Sequence, residues 1–437
     1  MGSITPSDIN GSGVESPGAA APRLRKPDRR QALLQPCVLD ELLADDHPAR
    51  TIWSVVGRLD LSRFEARIAA RGGDPGRAAT DPRLLVALWL YAYTRGVGSG
   101  RELERLCGCQ DAYRWLCGGV SVNYHTLNDF RVDHAQALDE LFTQVVMRLV
   151  HKGLVDVRRI SQDGTRVRAS AGSGSFRSHA TLERLRVEAK AHLEALAKQI
   201  DPAWSARQAA ARERAARERV EHIEQALAQV PELEASKQRY GNRKRDARSK
   251  AKPVRSSTTD AAARKMKMGD GGYRPAYNVQ LVGAVGSRAI VAVAVTNQGS
   301  DQHQSVPLRH QAQRRTGQEV KEHLLDGGFV HRQSIEQAGE QAAAIYAPVQ
   351  ETRGVDPATP KRGDGPHVRA WRERMATPEA KAIYKERAAT SETINADLKT
   401  WRGLDRLRVR GIIKVTCVAL WSALAYNLMH FGKALMS

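Results

Sequence analysis

Cysteine is sparse in this chain, acid is outnumbered by base, and no apolar run is long and clean enough to cross a bilayer. The five cysteines, Cys37, Cys107, Cys109, Cys117 and Cys417, are odd in number and few for 437 residues, which argues against a disulfide framework and for a reducing compartment. Cys107, Cys109 and Cys117 lack the paired C-x-x-C spacing of a zinc site and lie in a helical apolar pattern, so buried free thiols are expected there. The most apolar stretch, 411–431, is interrupted by Lys414, Asn427 and His430, and the N-terminus carries no charged-apolar-small signal. We therefore expect a soluble, intracellular protein.

What is abundant is arginine. Asp and Glu number 48 against 68 Lys and Arg, a formal charge of +20, and 51 of the 68 bases are Arg. Such a surplus raises association with polyanions, and the guanidinium fork grips phosphate well. Nucleic acid is the first partner to expect, an anionic membrane surface the second. An apolar content of 41% is ample for real cores, and the length suggests two to four domains.

Residues 1–28 are rich in Gly, Ser, Pro and Ala without apolar periodicity and read as a disordered tail. Residues 29–152 read as a helical domain. Asp81-Pro82 supplies an N-cap and a first-turn proline, and Ser99 caps a helix expected to run to Gly118-Gly119. A second helix then begins near Tyr124, a joint similar to a helix-turn-helix, with His125, Thr126, Asn128 and Arg131 placed for DNA contact. From Gly153 the period becomes alternating, and a strand is expected to end at Asp163-Gly164-Thr165; the other use of that dipeptide is a simple turn.

Residues 178–257 look inserted. Leu182, Leu185, Ala189, Leu193, Leu196 and Ile200, then Val220, Ile223, Leu227 and Val230, step by three or four as in a helical hairpin. The hairpin runs into 237–255, which holds nine basic residues and one acid; Arg243, Lys244 and Arg245 are candidates for DNA backbone contact, without sequence readout. Alternation returns at Tyr273 as two strands joined near Gly286, then a helix, a short strand before Asp326-Gly327-Gly328, and one more strand. A polar helix over 381–401 carries Tyr384, Arg387, Glu392 and Lys399. Glu392 and Lys399, seven apart, share a face. The stretch after Gly411 reads as an apolar helix covering the sheet.

If the strands bearing Asp163 and Asp326 are neighbours, their ends meet, and the helix with Glu392 can lay a third carboxylate across them. Three oxygen donors suit Mg²⁺ or Mn²⁺, and two such ions about 3.5–4 Å apart support in-line phosphoryl displacement. Asp301 could replace Asp326 but precedes a helix-like run, where N-capping is the commoner role, and Asp260 reads as another cap or loop residue. His303 and His331 read as surface residues.

In its motifs the chain resembles the bacterial insertion-sequence transposases of the DDE class, with a ribonuclease H-like α/β catalytic domain. The matching pieces are QDGTRVRAS at Asp163, TDAAARKMKMGDGGYRPAYNVQ, LLDGGF at Asp326, YKERAATSETINADLK at Glu392 and LRVRGIIKV; DPRLLVALWLYAYTRGVGSGRELERL with YHTLNDFR resembles the family's N-terminal domain. The resemblance implies a mixed sheet with flanking helices over 153–433, interrupted by 178–257. It implies Asp163, Asp326 and Glu392 as the metal-binding triad, Arg387 and Lys399 on DNA phosphate, and Tyr384 packing or touching DNA. One departure stands out: four residues separate Arg387 from Glu392 where the signature has three, which on a regular helix turns them about 140° apart. Expected partners are double-stranded DNA, as terminal inverted repeats and target, and a second copy of the chain when DNA is bound, in the bacterial cytoplasm at the nucleoid. The competing readings are a transposase-derived DNA-binding protein without cleavage and a general metal-dependent nuclease.

Overall fold

The computed structural model describes residues 38–71, 78–198, 204–241, 252–351 and 356–436. From Leu39 onward they form one compact unit. Local chemistry sets the first helices: Asp81 Oδ1 accepts from the Arg83 amide at 2.7 Å and Pro82 opens the helix Pro82–Thr94. This helix is buried along nearly its whole length, and Trp89 satisfies its indole N–H on the Leu127 carbonyl at 2.9 Å. The single helix expected from Ser99 to Gly118 is two, Gly100–Cys109 and Asp111–Cys117, because Gln110 is extended. The break lets Leu103 and Leu106 on one side and Tyr113 and Leu116 on the other all reach the core.

Among the described residues eight strands follow: β1 (Arg159–Arg168), β2 (Phe176–Ser178), β3 (Arg255–Ser257), β4 (Arg264–Lys267), β5 (Tyr273–Ala284), β6 (Ile290–Thr296), β7 (Glu322–Leu325) and β8 (Ala344–Tyr346). β2 and β3 form a separate ribbon. In the main sheet β5 pairs antiparallel with β1, β4 and β6, while β7 lies parallel to β1 and β8 parallel to β7. This mixed sheet, flanked by helices, is the ribonuclease H-like arrangement. β1 does not stop at Asp163 as expected. β5 supports it from Ile160 to Arg168, whereas β7 supports only Arg159 to Gln162, so Asp163 stands where one neighbour ends and the other continues.

The helix Ile412–Met436 has the length and hydropathy of a membrane span, yet 72% of that window is buried inside the fold. It packs on β6 and on the helices Pro82–Thr94 and Ala135–His151, giving helical layer and sheet a common core. Asn427 both donates to the Ile290 carbonyl (2.8 Å) and accepts from the Ile290 amide (2.9 Å), satisfying backbone that edge strand β6 would otherwise leave open. The inserted segment forms the expected hairpin, His179–Lys198 against Ala206–Ala228, around a small core of Leu182, Ala189, Val220 and Ile223.

Candidate active site

The register of β1 and β7 brings two carboxylates together. Gln162 lies opposite Leu325, so the next step places Asp163 beside Asp326. Asp326 leaves β7 exposed, its Oδ1 accepting from the Gly327 amide at 2.5 Å at the start of a short 3-10 turn. Asp163 is more enclosed. Its Oδ1 accepts from the Gly164 amide (3.0 Å), its Oδ2 accepts from Asn395 Nδ2 (3.0 Å), and Arg387 Nη1 stands 3.7 Å from Oδ2. Burial raises the Asp163 pKa above the ordinary carboxylate value; Arg387 opposes the rise, and Asp326 and Asp301 add to it.

A broken helix crosses this point: Pro378–Arg387, a π turn over Ala388–Glu392, then Thr393–Trp401. Gly283 on β5 gives it room, and Ser391 Oγ meets Ser161 Oγ at 2.6 Å. The π turn answers the spacing anomaly of the sequence. An i→i+5 turn takes up one additional residue, so Arg387 faces Asp163 on the same side as Asn395 instead of turning about 140° away.

Glu392 sits at the end of the π turn on the exposed side. Among the described residues no three His, Cys, Asp or Glu side chains gather as a metal cage: Asp163 and Asp326 end neighbouring strand registers, and Glu392 is exposed. Lys399 is half-buried two turns on; burial lowers its pKa, against the pull of Asp405 and Asp163. Tyr384 packs on the cluster around Leu324 and Trp371. Arg131 is placed differently from the expectation of a DNA contact. Only 5% exposed, it donates to the Gly98 carbonyl and lies over the Trp89 ring, so its guanidinium is spent inside the helical layer. Arg243, Lys244 and Arg245 lie outside the described residues.

Asp301 is not the helix cap expected of it; Gln304 holds that position. Its Oδ1 accepts from Asn278 Nδ2 (2.7 Å) and Gln280 Nε2 (2.6 Å), with Gln162 joined to Gln280 at 2.9 Å. These three amides are fully buried, a polar network behind the carboxylates, and Arg166 stands 3.7 Å from the other Asp301 oxygen. Gly164 makes the approach possible: a Cβ there would fall 2.2 Å from Asp301 Oδ1. The signal in the sequence was Asn278 and Gln280, two polar residues at alternate positions of the otherwise apolar run after Arg274. Asn395, three residues after Glu392, was equally legible and equally missed.

Comparison with known proteins gives two family matches. Residues 37–133 match the family described as Transposase domain (DUF772), and residues 364–431, which include the whole broken helix, match the family described as Transposase DDE domain. Neither the curated proteins nor the solved structures contain a match. Two transposase families are thus matched at the two ends of one chain, around a ribonuclease H-like sheet, and these matches support an insertion-sequence transposase of the DDE class.

Proposed function

We propose that this transposase binds the ends of its insertion sequence and cleaves and transfers DNA strands at Asp163, Asp326 and Glu392. The observation that carries the reading is the β1–β7 register, which sets Asp163 against Asp326 beneath the helix bearing Glu392, Asn395 and Lys399. The donor set fits a hard divalent ion. Asp163 and Asp326 are all-oxygen ligands, Asp301 adds negative charge nearby, and the facing cations, Arg387 and Arg166, stand off at 3.7 Å. Mg²⁺ or Mn²⁺ held by Asp163 and Asp326, with Glu392 closing over them, would activate the attacking oxygen and stabilise the leaving oxygen at a scissile phosphate.

The chain's own residues do the positioning. Asn395 and the Gly164 amide fix the Asp163 carboxylate in one orientation. Arg387 offsets part of the Asp163 charge and is free to turn its fork to phosphate when DNA arrives. Lys399 supplies a second cation on the same face. Hydrolysis at an element end frees a 3′-hydroxyl, which then attacks target DNA; neither step needs a covalent protein–DNA bond. The helical layer and the basic insertion would hold the terminal repeats, and pairing two ends calls for a dimer on DNA.

The test is incubation of the protein with DNA from the flanks of its gene, a supercoiled target, and Mg²⁺ or Mn²⁺ at fixed salt. Metal-dependent cleavage at one defined position, followed by joining, is expected. Binding without cleavage would replace the reading with that of a DNA-binding protein derived from a transposase, and cleavage without a preferred position would make it a general nuclease.

A further inference from the structure

The LRVRG segment just after the site helix has its own geometry. Leu404, Leu407 and Val409 are buried, while Arg406, Arg408 and Arg410 are exposed, a strand-like alternation. The segment extends the sheet beside the end of β1: the Arg168 amide donates to the Asp405 carbonyl (3.2 Å) and the Leu407 amide donates to the Arg168 carbonyl (2.9 Å). Its far end is pinned. Buried Asp260 accepts from the Gly411 amide at 3.2 Å and from the Tyr277 hydroxyl at 2.6 Å, and Arg410 Nε donates to the Ser170 carbonyl at 3.4 Å.

Several surface arginines have a carboxylate partner, as Arg274 has Asp270 at 2.6 Å. Among the described residues Arg168, Arg406, Arg408 and Arg410 form no ion pair within 4 Å, so four like charges stand together on a fixed backbone, with Asp129 and Glu218 lining the same cleft as Arg408 and Arg410. They line two adjoining clefts, one of about 530 Å³ shared with Arg274 and one of about 860 Å³ that continues past Lys414 toward the inserted helix Ala206–Ala228. A recessed, linear row of guanidinium groups fits a linear polyanion better than a membrane plane.

We infer that Arg168, Arg406, Arg408 and Arg410 form a phosphate track that holds the backbone of one DNA strand leading to Asp163. This rests on the reading of the site as a strand-cleaving centre. Alternate residues of an extended segment are about 6.8 Å apart, which is about two nucleotides at 3.4 Å of axial rise per strand. Arg168 lies five residues beyond Asp163 on β1, about 17 Å. The track therefore meets phosphates about five to nine nucleotides to one side of the cleaved bond.

The experiment measures binding of the full chain to a duplex from the gene's flank across a salt series, for wild type, for Arg406→Gln/Arg408→Gln/Arg410→Gln, and for the same three positions changed to Lys. Loss of three phosphate contacts lowers the slope of log K against log salt by about 3 and weakens binding on the order of 100-fold near 0.15 M salt. The Lys version keeps most of the slope, because it keeps the charges. Each single Gln change lowers the slope by about 1, which keeps the test decisive if the triple variant folds poorly. On duplexes cut back to fewer than about five nucleotides on the track's side of the mapped cleavage point, wild type and the Gln variant should bind alike. An unchanged slope in the Gln variants, or a Lys variant as weak as the Gln variant, overturns the track. Wild type that binds with the expected slope difference but never cuts leaves the track standing and removes the cleavage reading instead.

Discussion

Gly283→Ala should lift the catalytic helix off the sheet. Gly283 pairs with Ser161 in the β1–β5 ladder, so a side chain there points at the same face as Ser161, directly under the helix. A Cβ would stand 2.4 Å from Ile394 Cδ1 and 3.1 Å from Thr390 Cγ2. Carbon atoms pack at about 3.5–4.0 Å, so the shortfall at Ile394 exceeds about 1 Å. Ile394 and Thr390 are 1% and 2% exposed, which leaves no free space to take it up. The helix must therefore move, carrying Arg387 and Asn395 away from Asp163. Overpacking of this kind costs about 1–3 kcal/mol of stability, and a displacement of about 1 Å at a reacting centre costs on the order of 100-fold in rate. Strand cleavage at saturating DNA and a thermal melt measure the two effects. Adding Ile394→Val removes Cδ1 and should restore most of the rate. Full cleavage by Gly283→Ala alone, or a double variant no better than the single, would refute the packing argument.

The π turn makes a deletion tolerable where deletions in helices are usually not. Removing exposed Ala389 leaves Arg387 and Glu392 four positions apart, about 40° on a regular helix, and cleavage should persist, whereas deleting Ala396 swings Lys399 by about 100° and should abolish it. Gly164→Ala places a Cβ 2.2 Å from Asp301 Oδ1 and 2.4 Å from Gln280 Nε2; we expect a loss of about 1–3 kcal/mol in a denaturant melt together with slower cleavage, while Gly174→Ala, with nothing within 4 Å, changes neither. Asp163→Asn should raise the melting temperature of the metal-free protein at neutral pH. The folded Asp163 pKa lies above its unfolded value, so the site opposes folding increasingly as pH rises through that interval, and a neutral side chain removes the opposition. The new amide can donate to Asn395 Oδ1, which is buried and without a hydrogen-bond partner. Mg²⁺ should then raise the melting temperature of wild type but not of this variant; a variant that melts below wild type without metal would contradict the sign.

The elements that set themselves locally were the most legible. Asp81-Pro82 announces its helix, the alternation from Tyr273 announces β5 and β6, and the apolar run before Asp326 announces β7, since each depends on capping or on period alone. What depends on partners was hidden. Periodicity could not say that β5 would carry β1 on to Arg168, nor that Gln110 would break a helix so that both halves reach one core. The unusual Arg387–Glu392 spacing was visible, but its resolution in a π turn depends on Ser161, Thr390 and Gly283 meeting across the sheet. The helix-turn-helix-like joint pointed to Arg131 as a DNA contact, and burial against Trp89 shows why position in such a joint cannot say which side chains face solvent. Asp301 illustrates the converse, an acid that capping rules assign to a helix end and that the amides of Asn278 and Gln280 draw to the site.

Cleavage of flank DNA by four single variants, Asp163→Asn, Asp326→Asn, Glu392→Gln and Asp301→Asn, at fixed salt with Mg²⁺, tests the central assignment most directly. Each change removes one charge and nearly preserves shape. The account predicts that the first three bind DNA as wild type does and do not cut, while Asp301→Asn cuts slowly, because its carboxylate supports the buried amides behind the site. Cleavage surviving in Asp326→Asn or Glu392→Gln but lost in Asp301→Asn would contradict it, and would move the site's second carboxylate to the loop before the helix Ser305–Thr316.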